Sequence, residues 1–241
     1  PAPAPAPASR RLLVVEGCAR HGAPACVHRR GRVAHRGDDG DGALGWLLAE
    51  LNDGAIARYD GLAVHAGVVA RHGRAIAFPA ESGAGKTTLT AAAVAAGFGY
   101  LSDEALCVPF GSDDIAPYPR PLALSAWSRR HAGLDGVAGY RLSPDEVLVT
   151  PAALGAWPPP AGARLAHVVV LRRRPGPPAL EPASAADAMA ALLRHSFHHY
   201  KRPPESFARC ASLAGQARAW RLGLSDPADA AALLAERLGA P

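Results

Sequence analysis

The sequence predicts a mixed α/β fold, and three observations carry this prediction. Short apolar segments typical of strands alternate along the chain with amphipathic or alanine-rich segments typical of helices. Hydrophobic residues make up 49% of the 241 residues and charged residues 20%, a composition typical of a globular protein with a sizeable core. An apolar strand, a glycine-rich turn and a helix also follow one another between residues 75 and 96. This order of elements indicates helices packed on a β-sheet.

The first 54 residues divide into two parts. Residues 1–9 are a Pro-Ala repeat without core-forming side chains, and we expect them to form a disordered, extended tail. Residues 10–54 are expected to form a small α/β segment with strands at 11–17 and 25–35, the second broken at Gly31. A short helix over residues 43–51 is predicted to end at the Asn-Asp-Gly sequence of residues 52–54.

Residues 55–241 are expected to form one larger domain. Apolar alternation predicts strands at 62–70, 74–79, within 98–109, at 164–171 and at 217–224. A helix is predicted over 87–96, closed by Gly97 as its C′ residue. Further helices are predicted from a capping box at Ser184 to about residue 200, over 204–213, and from Asp226 to just before Gly239. Residues 71–73 form a predicted hairpin turn, and 111–121 a loop. Residues 129–160 lack periodicity, so we expect irregular structure there, with Trp127 and Trp157 as packing anchors.

Charge and targeting signals narrow the partners and the compartment. The formal net charge is +5 and the isoelectric point about 9.3, which favours acidic or phosphorylated partners. No apolar run reaches the roughly 18–20 residues of a membrane span, and residues 1–15 do not form a secretory signal. The four cysteines are scattered and too few for a disulfide scaffold. We therefore expect reduced cysteines, a cytoplasmic location and no membrane partner.

The strongest motif is a P-loop over residues 80–87, which read Ala-Glu-Ser-Gly-Ala-Gly-Lys-Thr. Seven of the eight positions match G-x-x-x-x-G-K-[ST], and Ala80 replaces the first glycine. A strand–loop–helix turn directs backbone N–H groups and the positive end of a helix dipole at one point, which suits nucleotide phosphates. The motif predicts that Lys86 reaches the β/γ-phosphate oxygens and that Thr87 ligates Mg²⁺. The nucleotide-binding residues are predicted to be Ser82, Gly83, Ala84, Gly85, Lys86, Thr87 and Thr88.

Lysine usage supports this assignment. Only Lys86 and Lys201 are lysines among 26 basic residues, so the sequence uses arginine almost everywhere else. A planar guanidinium cannot always replace a compact ammonium. We interpret Lys86 as a position where arginine does not serve.

An acidic pair, Asp103-Glu104, lies 17 residues after Lys86, beyond the predicted helix and turn. A chain returning from that helix would bring the pair back to the phosphates. Two adjacent carboxylates can divide the work between a base that accepts a hydroxyl proton and a ligand for a metal ion. The pair therefore predicts phosphoryl transfer, whereas in isolation it would indicate an exposed turn.

The motifs together resemble the HPr kinase/phosphorylase family, and most closely its shorter HPr-kinase-like relatives, some of which accompany the biosynthesis of ribosomally made peptides. The resemblance rests on His65 fifteen residues before Ala80, the P-loop, and the sequence Ser102-Asp103-Glu104. Residues 118–122 (Tyr-Pro-Arg-Pro-Leu) and 196–203 also resemble those relatives. It covers residues 55–240 and is most specific over residues 62–105.

The resemblance implies a phosphoenolpyruvate-carboxykinase-like P-loop kinase core on a mixed sheet. It further implies that Asp103 is the base toward the acceptor hydroxyl, that Glu104, Thr87 and Asp103 hold Mg²⁺, and that His65 lies near the γ-phosphate of ATP or GTP. Glu104 stands where bifunctional members of the family usually have aspartate, and their glycine-rich signature after the pair is missing. The acceptor implied is therefore serine on a peptide or protein, such as a precursor peptide, and a homo-oligomer is left open.

Arg120 is a further candidate active-site residue. It lies between Pro119 and Pro121, which stiffen the loop and hold the arginine in a set direction. Its position after the acidic pair predicts contact with the acceptor or the transferred phosphoryl group. A surface arginine in a proline-rich loop is the competing interpretation.

Several weaker patterns were weighed against ordinary structural roles. Zinc binding by residues 18–28 and calcium binding by residues 38–42 are both disfavoured, because neither segment has the ligand spacing those ions need. His195 and His199 have the i, i+4 spacing that could hold a metal on one helix face, but with His198 they are interpreted as structural or substrate-facing. The basic run of residues 172–174 could receive an acidic peptide or a nucleic acid, but it is interpreted as solvated charge at a strand end, and no nucleic-acid partner is expected.

Two other functions remain open at this point. One is a nucleotide-binding regulatory or accessory module with little phosphotransfer. The other is an ATPase or GTPase switch, which would hydrolyse nucleotide without an acceptor.

Overall fold

A computed structural model of the chain describes residues 13–17, 25–29, 31–37 and 40–240. Contacts divide these residues into two compact units. One unit contains the described residues up to Ala55 together with Arg141–Pro144, and the other contains Ile56–Tyr140 and the described residues from Asp145 onward.

The N-terminal region contributes strands and one long helix: β1 (Leu13–Gly17), β2 (Ala25–Arg29), β3 (Arg32–Gly37) and α1 (Gly40–Arg58). The three strands pair antiparallel in the order β1-β2-β3, and Gly31 makes the turn between the last two with φ 75°. The predicted end of the helix at residues 52–54 is wrong, because α1 continues to Arg58. Asn52 and Gly54 are buried, and packing overrides their weak helix propensity.

The larger unit contains the remaining elements. Its strands are β4 (Gly61–Arg71), β5 (Arg74–Pro79), β6 (Gly99–Ser102), β7 (Ala105–Pro109), β8 (Leu122–Ser125), β9 (Tyr140–Arg141, at the boundary between the units), β10 (Glu146–Val149), β11 (Arg164–Arg173), β12 (Ala179–Ala183) and β13 (Arg218–Leu224). Its helices are α2 (Lys86–Ala95), α3 (Ala126–His131), α4 (Ala185–Arg194), α5 (Pro203–Gln216) and α6 (Pro227–Leu238), with a 3₁₀ turn at His199–Lys201. Among the helices that the structure describes, none combines the length and the apolar character needed to cross a membrane.

A mixed sheet forms the centre of this unit, and the fold is therefore mixed α/β. The strand order is β12-β13-β11-β5-β4-β6, and β7 pairs with the first half of β4. Strands β5, β11 and β13 run parallel, whereas β4 and β12 are antiparallel to their neighbours. Because β5, β11 and β13 point the same way, their carboxyl ends meet at one edge of the sheet.

Helices cover both faces of the sheet. On one face, α2 and α6 pack with Ile76, Phe78 and Tyr100 in one apolar cluster. On the other, α4 and α5 pack with Ala75 and Ala77 in a second cluster. Alternate residues of β5 thus point into opposite cores, which explains why that strand reads as a continuous apolar run.

The local turn and capping signals in the sequence are confirmed. His72 (φ 52°) and Gly73 (φ 73°) form the two-residue turn between β4 and β5. After α2, Gly97 adopts φ 93° and its N–H donates to the carbonyl of Val94, as in a Schellman motif. At the start of α4, the Ser184 hydroxyl accepts from the Asp187 N–H while the Asp187 carboxylate accepts from the Ser184 N–H.

Three expectations for residues 122–200 are wrong. The stretch 129–160 is more regular than expected, since it contains β10, which pairs antiparallel with β8. Trp127 and Trp157 do not anchor packing, because they are 53% and 60% exposed. The helix from Ser184 stops at Arg194 instead of about residue 200.

Candidate nucleotide and phosphoryl-transfer site

The P-loop segment joins the end of β5 to the start of α2, as the sequence predicts. Gly83 and Gly85 have φ values of 80° and 100°, a region that side-chain-bearing residues rarely adopt. Gly85 is the residue preceding α2 and has no side chain to accept from the first N–H groups of the helix. A Cβ atom on Gly85 would lie 3.0 Å from Leu224 Cδ2, so the loop passes close to the end of β13. The backbone is therefore shaped like an anion cradle.

Lys86 is held inside this loop. Its side chain is buried, and Nζ donates to the Glu81 carbonyl oxygen at 2.8 Å. Burial lowers the pKa of the Lys86 ammonium, while the nearby carboxylates of Glu104, Asp103 and Glu81 raise it. The ammonium is thus fixed among three acidic groups at the start of α2.

The acidic pair lies in the turn between β6 and β7, next to the P-loop. Both strands pair with β4, which is hydrogen-bonded to β5, so the turn returns to the edge where β5 ends. The Ser102 hydroxyl oxygen accepts from the N–H groups of Glu104 and Ala105 at 3.0 and 2.9 Å and so fixes the turn. The sequence argument for the return of the chain is confirmed in its geometry.

Asp103 is buried, and two hydroxyl groups are near its carboxylate. The Tyr100 hydroxyl donates to Oδ1 at 3.1 Å, and the Thr87 hydroxyl is close enough to lower the pKa of this carboxyl. Burial raises the pKa of Asp103 to about 6, although Arg120 and both hydroxyl donors lower it. A carboxyl with this pKa is ionised at neutral pH and is a stronger base than an ordinary aspartate.

Glu104 and Arg120 form the shortest ion pair of the site. Arg120 Nη1 lies 2.6 Å from Glu104 Oε2, and Nε lies 4.0 Å from Asp103 Oδ1. The Tyr100 hydroxyl also lies 2.8 Å from the Arg120 carbonyl oxygen, so it shares its one proton between this carbonyl and Asp103 Oδ1 and attaches the loop of residues 111–121 to β6. The guanidinium consequently faces the acidic pair.

His65 lies on β4 beside the same turn. Its Nδ1 is 3.1 Å from the Glu104 carbonyl oxygen and 3.5 Å from Oε1 of Glu104. The Phe197 ring meets the imidazole edge-on, with 5.4 Å between the ring centroids. The backbone N–H of His65 donates to the His195 carbonyl oxygen at 2.7 Å. The ring is thereby held at the edge of the P-loop.

A cavity of about 660 Å³ brings most of the predicted site residues together. Those that line it are His65, Ser82, Gly83, Gly85, Lys86, Thr87, Thr88, Asp103 and Glu104. Two predicted residues do not line it. Arg120 pairs with Glu104 but is not part of the cavity wall, and Ala84 lines a second cavity on the other side of the loop. The Thr88 hydroxyl donates to Ser128 Oγ at 2.9 Å, so Thr88 also connects α2 to α3.

Sequence reasoning missed several residues of this cavity. Arg173 and Arg174 line it, and Arg173 Nη2 donates to the Gly83 carbonyl at 2.9 Å. Arg173 of this basic run therefore reaches the P-loop, and the run is not solvated charge throughout. The sequence contained a signal for this contact. Strand β11 ends at the basic run, and because it is parallel to β5, both strands end at the same edge of the sheet. Trp127 and Leu224 also line the cavity, and nothing in their local sequence indicates this.

The weaker metal patterns receive no support from the described residues. The expected helix face for His195 and His199 does not exist, because α4 ends at Arg194 and His199 lies in the 3₁₀ turn. Cys18 and His21, and the acidic residues 38 and 39, lie outside the described residues. Within the part that is described, no group of three or more His, Cys, Asp or Glu side chains could hold a metal ion by itself, and Cys26, Cys107 and Cys210 are free thiols.

Comparison with known proteins adds no assignment. No protein-family model matches the chain, and no curated protein matches it.

Proposed function

We propose that this protein is a Mg²⁺-dependent kinase that transfers the γ-phosphoryl group of ATP or GTP to the hydroxyl of a serine in a peptide or protein. One observation carries the proposal: the buried Lys86, the buried carboxylate of Asp103 and the Thr87 hydroxyl lie in the same cavity at the start of α2. Phosphoryl transfer needs positioning, charge neutralisation and a proton acceptor. The cavity offers a group for each.

The residues present suit a magnesium nucleotide. Gly83 and Gly85 supply the backbone shape for phosphates, and Lys86 and Arg173 supply positive charge beside it. Mg²⁺ bound to a nucleotide needs only one or two protein oxygens, and the Thr87 hydroxyl and Glu104 would supply them. When bound, Mg²⁺ would neutralise charge on the transferred phosphoryl group.

Asp103 has the properties of the base. With a pKa of about 6 it is ionised at pH 7, it is shielded from solvent, and the Tyr100 hydroxyl orients its carboxylate. In the proposed reaction it accepts the proton of the acceptor hydroxyl as the oxygen attacks phosphorus. His65 and Arg120 hold Glu104 and the turn in place beside it.

The resemblance to the HPr kinase/phosphorylase family supports this proposal. On that basis the fold is a phosphoenolpyruvate-carboxykinase-like P-loop kinase core, and a precursor peptide is the proposed acceptor. The choice of a precursor peptide rests on the family analogy.

An accessory, nucleotide-binding role is the second candidate, and one observation favours it. Glu104 is engaged by Arg120 at 2.6 Å, so the proposed metal ligand is neutralised in this structure. Such a module would bind nucleotide and transfer little phosphate.

Incubation with γ-labelled ATP and a set of serine-containing peptides separates these candidates. A kinase labels peptide, whereas an accessory module binds ATP without labelling and a nucleotide switch releases labelled phosphate without acceptor. If saturating MgATP labels none of the serine-containing peptides, the kinase proposal is rejected.

The pH dependence of transfer should follow Asp103. Transfer requires the ionised carboxylate, so kcat/KM should rise with pH through about pH 6 and then level off. Tyr100→Phe removes a hydrogen bond that stabilises the charged form, and we expect it to shift this rise upward by about one pH unit, since such a bond is worth about 1.5 kcal/mol.

The control for that profile is Tyr59→Phe, because the Tyr59 hydroxyl is also buried but lies outside the cavity. Its pH profile should match that of the wild type. An unshifted profile in Tyr100→Phe would show that another group controls the rise.

Arg120→Ala should lower transfer by about ten- to a hundredfold with little loss of nucleotide affinity. The guanidinium positions Glu104 and lowers the pKa of Asp103, yet it does not line the cavity. Steady-state kinetics and MgATP titration measure the two effects, and Arg120→Lys should recover part of the rate. Full activity of Arg120→Ala would remove Arg120 from the site, and a lower melting temperature with normal kinetics would assign it a structural role.

A further inference from the structure

A second cavity, of about 360 Å³, lies on the other side of the P-loop. The residues that it shares with the loop segment are Ala80, Glu81 and Ala84. Three arginines line it: Arg172, Arg194 and Arg221. Three guanidinium groups in one cavity beside the proposed transfer site favour an anionic ligand, because guanidinium groups form charge-assisted hydrogen bonds with anions.

The fold brings the three arginines together from distant parts of the sequence. Arg221 on β13 lies directly opposite Val170 on β11, so these two side chains share one face of the sheet. Arg172 follows Val170 by two residues, so its side chain is on the same face as that of Arg221. Helix α4 covers that face, and Arg194 belongs to its last turn. The walls of the cavity are therefore formed by the sheet, helix α4 and the P-loop.

The charges of this cavity are not balanced internally. Arg221 Nη2 pairs with Asp187 Oδ2 at 2.8 Å. Among the described residues, no ion pair joins Arg172 or Arg194 to an acidic side chain, and Glu81 is the other carboxylate on the wall. His195 is also on the wall, and burial lowers its pKa, so it is neutral at pH 7. Two guanidinium groups are thus available for a ligand.

The cavity is also next to the place where transfer would occur. The carbonyl of His195, on its wall, accepts the backbone N–H of His65, which lines the larger cavity. Lys86 Nζ, in turn, is bonded to the Glu81 carbonyl. A chain whose hydroxyl reaches Asp103 could therefore place a neighbouring side chain in the second cavity.

We propose that the second cavity binds a carboxylate side chain of the acceptor peptide, close in sequence to the phosphorylated hydroxyl. The inference rests on the proposed kinase function and names the class of acceptor: an acidic peptide. Arginine is the residue that binds carboxylates in two-point geometry. Arg172 and Arg194 supply the recognition, and the Asp187–Arg221 pair fixes the wall behind them.

The lining favours a side chain over a free inorganic anion. Besides the arginines, the wall is apolar at Val170, Ala190 and Ala191. These residues suit the methylene groups of a glutamate, which a phosphate ion lacks. Arg172 and Arg194 are exposed, so a peptide backbone can remain outside while its side chain enters.

The test compares two fluorescent peptides that differ only in charge. Both contain one serine in an alanine–glycine background, flanked by two glutamates in one peptide and by two glutamines in the other. Fluorescence anisotropy with the wild-type protein should show at least about tenfold tighter binding of the glutamate peptide. The double variant Arg172→Gln/Arg194→Gln should lose this preference while its affinity for MgATP stays unchanged.

A charge-matched control excludes a general electrostatic effect. Arg58 and Arg237 are exposed and line neither cavity, so Arg58→Gln/Arg237→Gln should keep the preference. Millimolar inorganic phosphate should not displace the glutamate peptide from the wild type. Equal binding of the two peptides, no binding of either, equal loss in the control variant, or displacement by phosphate would each overturn the proposal.

Failure of this inference and failure of the kinase proposal give different results. Transfer to both peptides at equal rates, with equal binding, would support the kinase proposal and reject the second cavity as a binding site for the acceptor. A charge-dependent binding preference without any phosphoryl transfer would support binding of an acidic peptide and reject the kinase proposal.

Discussion

Asp103→Asn should lower the rate of phosphoryl transfer about 10²- to 10⁴-fold, the range expected when a general base is removed. Asparagine has nearly the same shape and can still accept from the Tyr100 hydroxyl, but it cannot take the proton of the acceptor. The affinity for MgATP should change little, because Lys86 and the P-loop backbone are intact. Single-turnover kinetics and nucleotide titration measure the two quantities.

The stability of this variant should not fall. The folded-state pKa of Asp103, about 6, is above the ordinary value of 3.8, so burying this carboxyl favours folding below pH 3.8, and the advantage disappears as pH rises through 6. At pH 7.5 the buried charge is a cost that asparagine does not carry. The melting temperature of Asp103→Asn should therefore equal or exceed that of the wild type.

Asp135→Asn is the matched control, since Asp135 is exposed and lies outside the cavity. It should transfer phosphate at the wild-type rate. Wild-type transfer by Asp103→Asn itself would show that Asp103 is not the base.

Lys86→Arg should weaken MgATP binding by at least about tenfold, or reduce transfer to a similar degree, although the charge is kept. Lys86 is 5% exposed, and its ammonium is held within the loop, 2.8 Å from the Glu81 carbonyl oxygen. A guanidinium is wider, planar and differently directed, so it cannot occupy this space without moving the loop. Isothermal titration with MgATP measures the loss.

The chain offers an internal control, because its other lysine is in an open environment. Lys201 is exposed, and its Nζ donates to the Ala57 carbonyl at 3.0 Å. Lys201→Arg should leave both nucleotide affinity and transfer unchanged. Equal behaviour of the two variants would mean that the loop tolerates either cation, and Lys86 would lose its proposed role.

Local signals in the sequence predicted much of the fold and the centre of the site. The turn at residues 71–73, Gly97 after α2 and the capping box at Ser184 each depend on neighbouring residues only, and each is found. The P-loop and the return of Asp103-Glu104 to it follow from the order strand, loop, helix, strand, and the structure has this geometry.

The features that sequence reasoning missed depend on packing between distant segments. Strand β8 has only four residues, too few for an alternation of apolar and polar residues to be recognised. Helix α1 passes through Gly54 because that residue is buried. Three contacts of the site also join separate segments, and these segments are brought together only by the order of the strands in the sheet. They are the Tyr100 bond to Asp103, the Arg120–Glu104 ion pair and the Arg173 bond to the Gly83 carbonyl.

The central claim is that one cavity binds MgATP and transfers its γ-phosphoryl group to an acceptor hydroxyl. Phosphorus NMR of the protein with MgATP and a serine peptide follows every phosphate in one spectrum. The account predicts that ADP and phosphoserine signals grow in equal amounts, that neither grows with Asp103→Asn, and that little inorganic phosphate forms. A spectrum in which ATP binds but ADP grows only with inorganic phosphate, or in which ATP remains intact beside every peptide supplied, would contradict it.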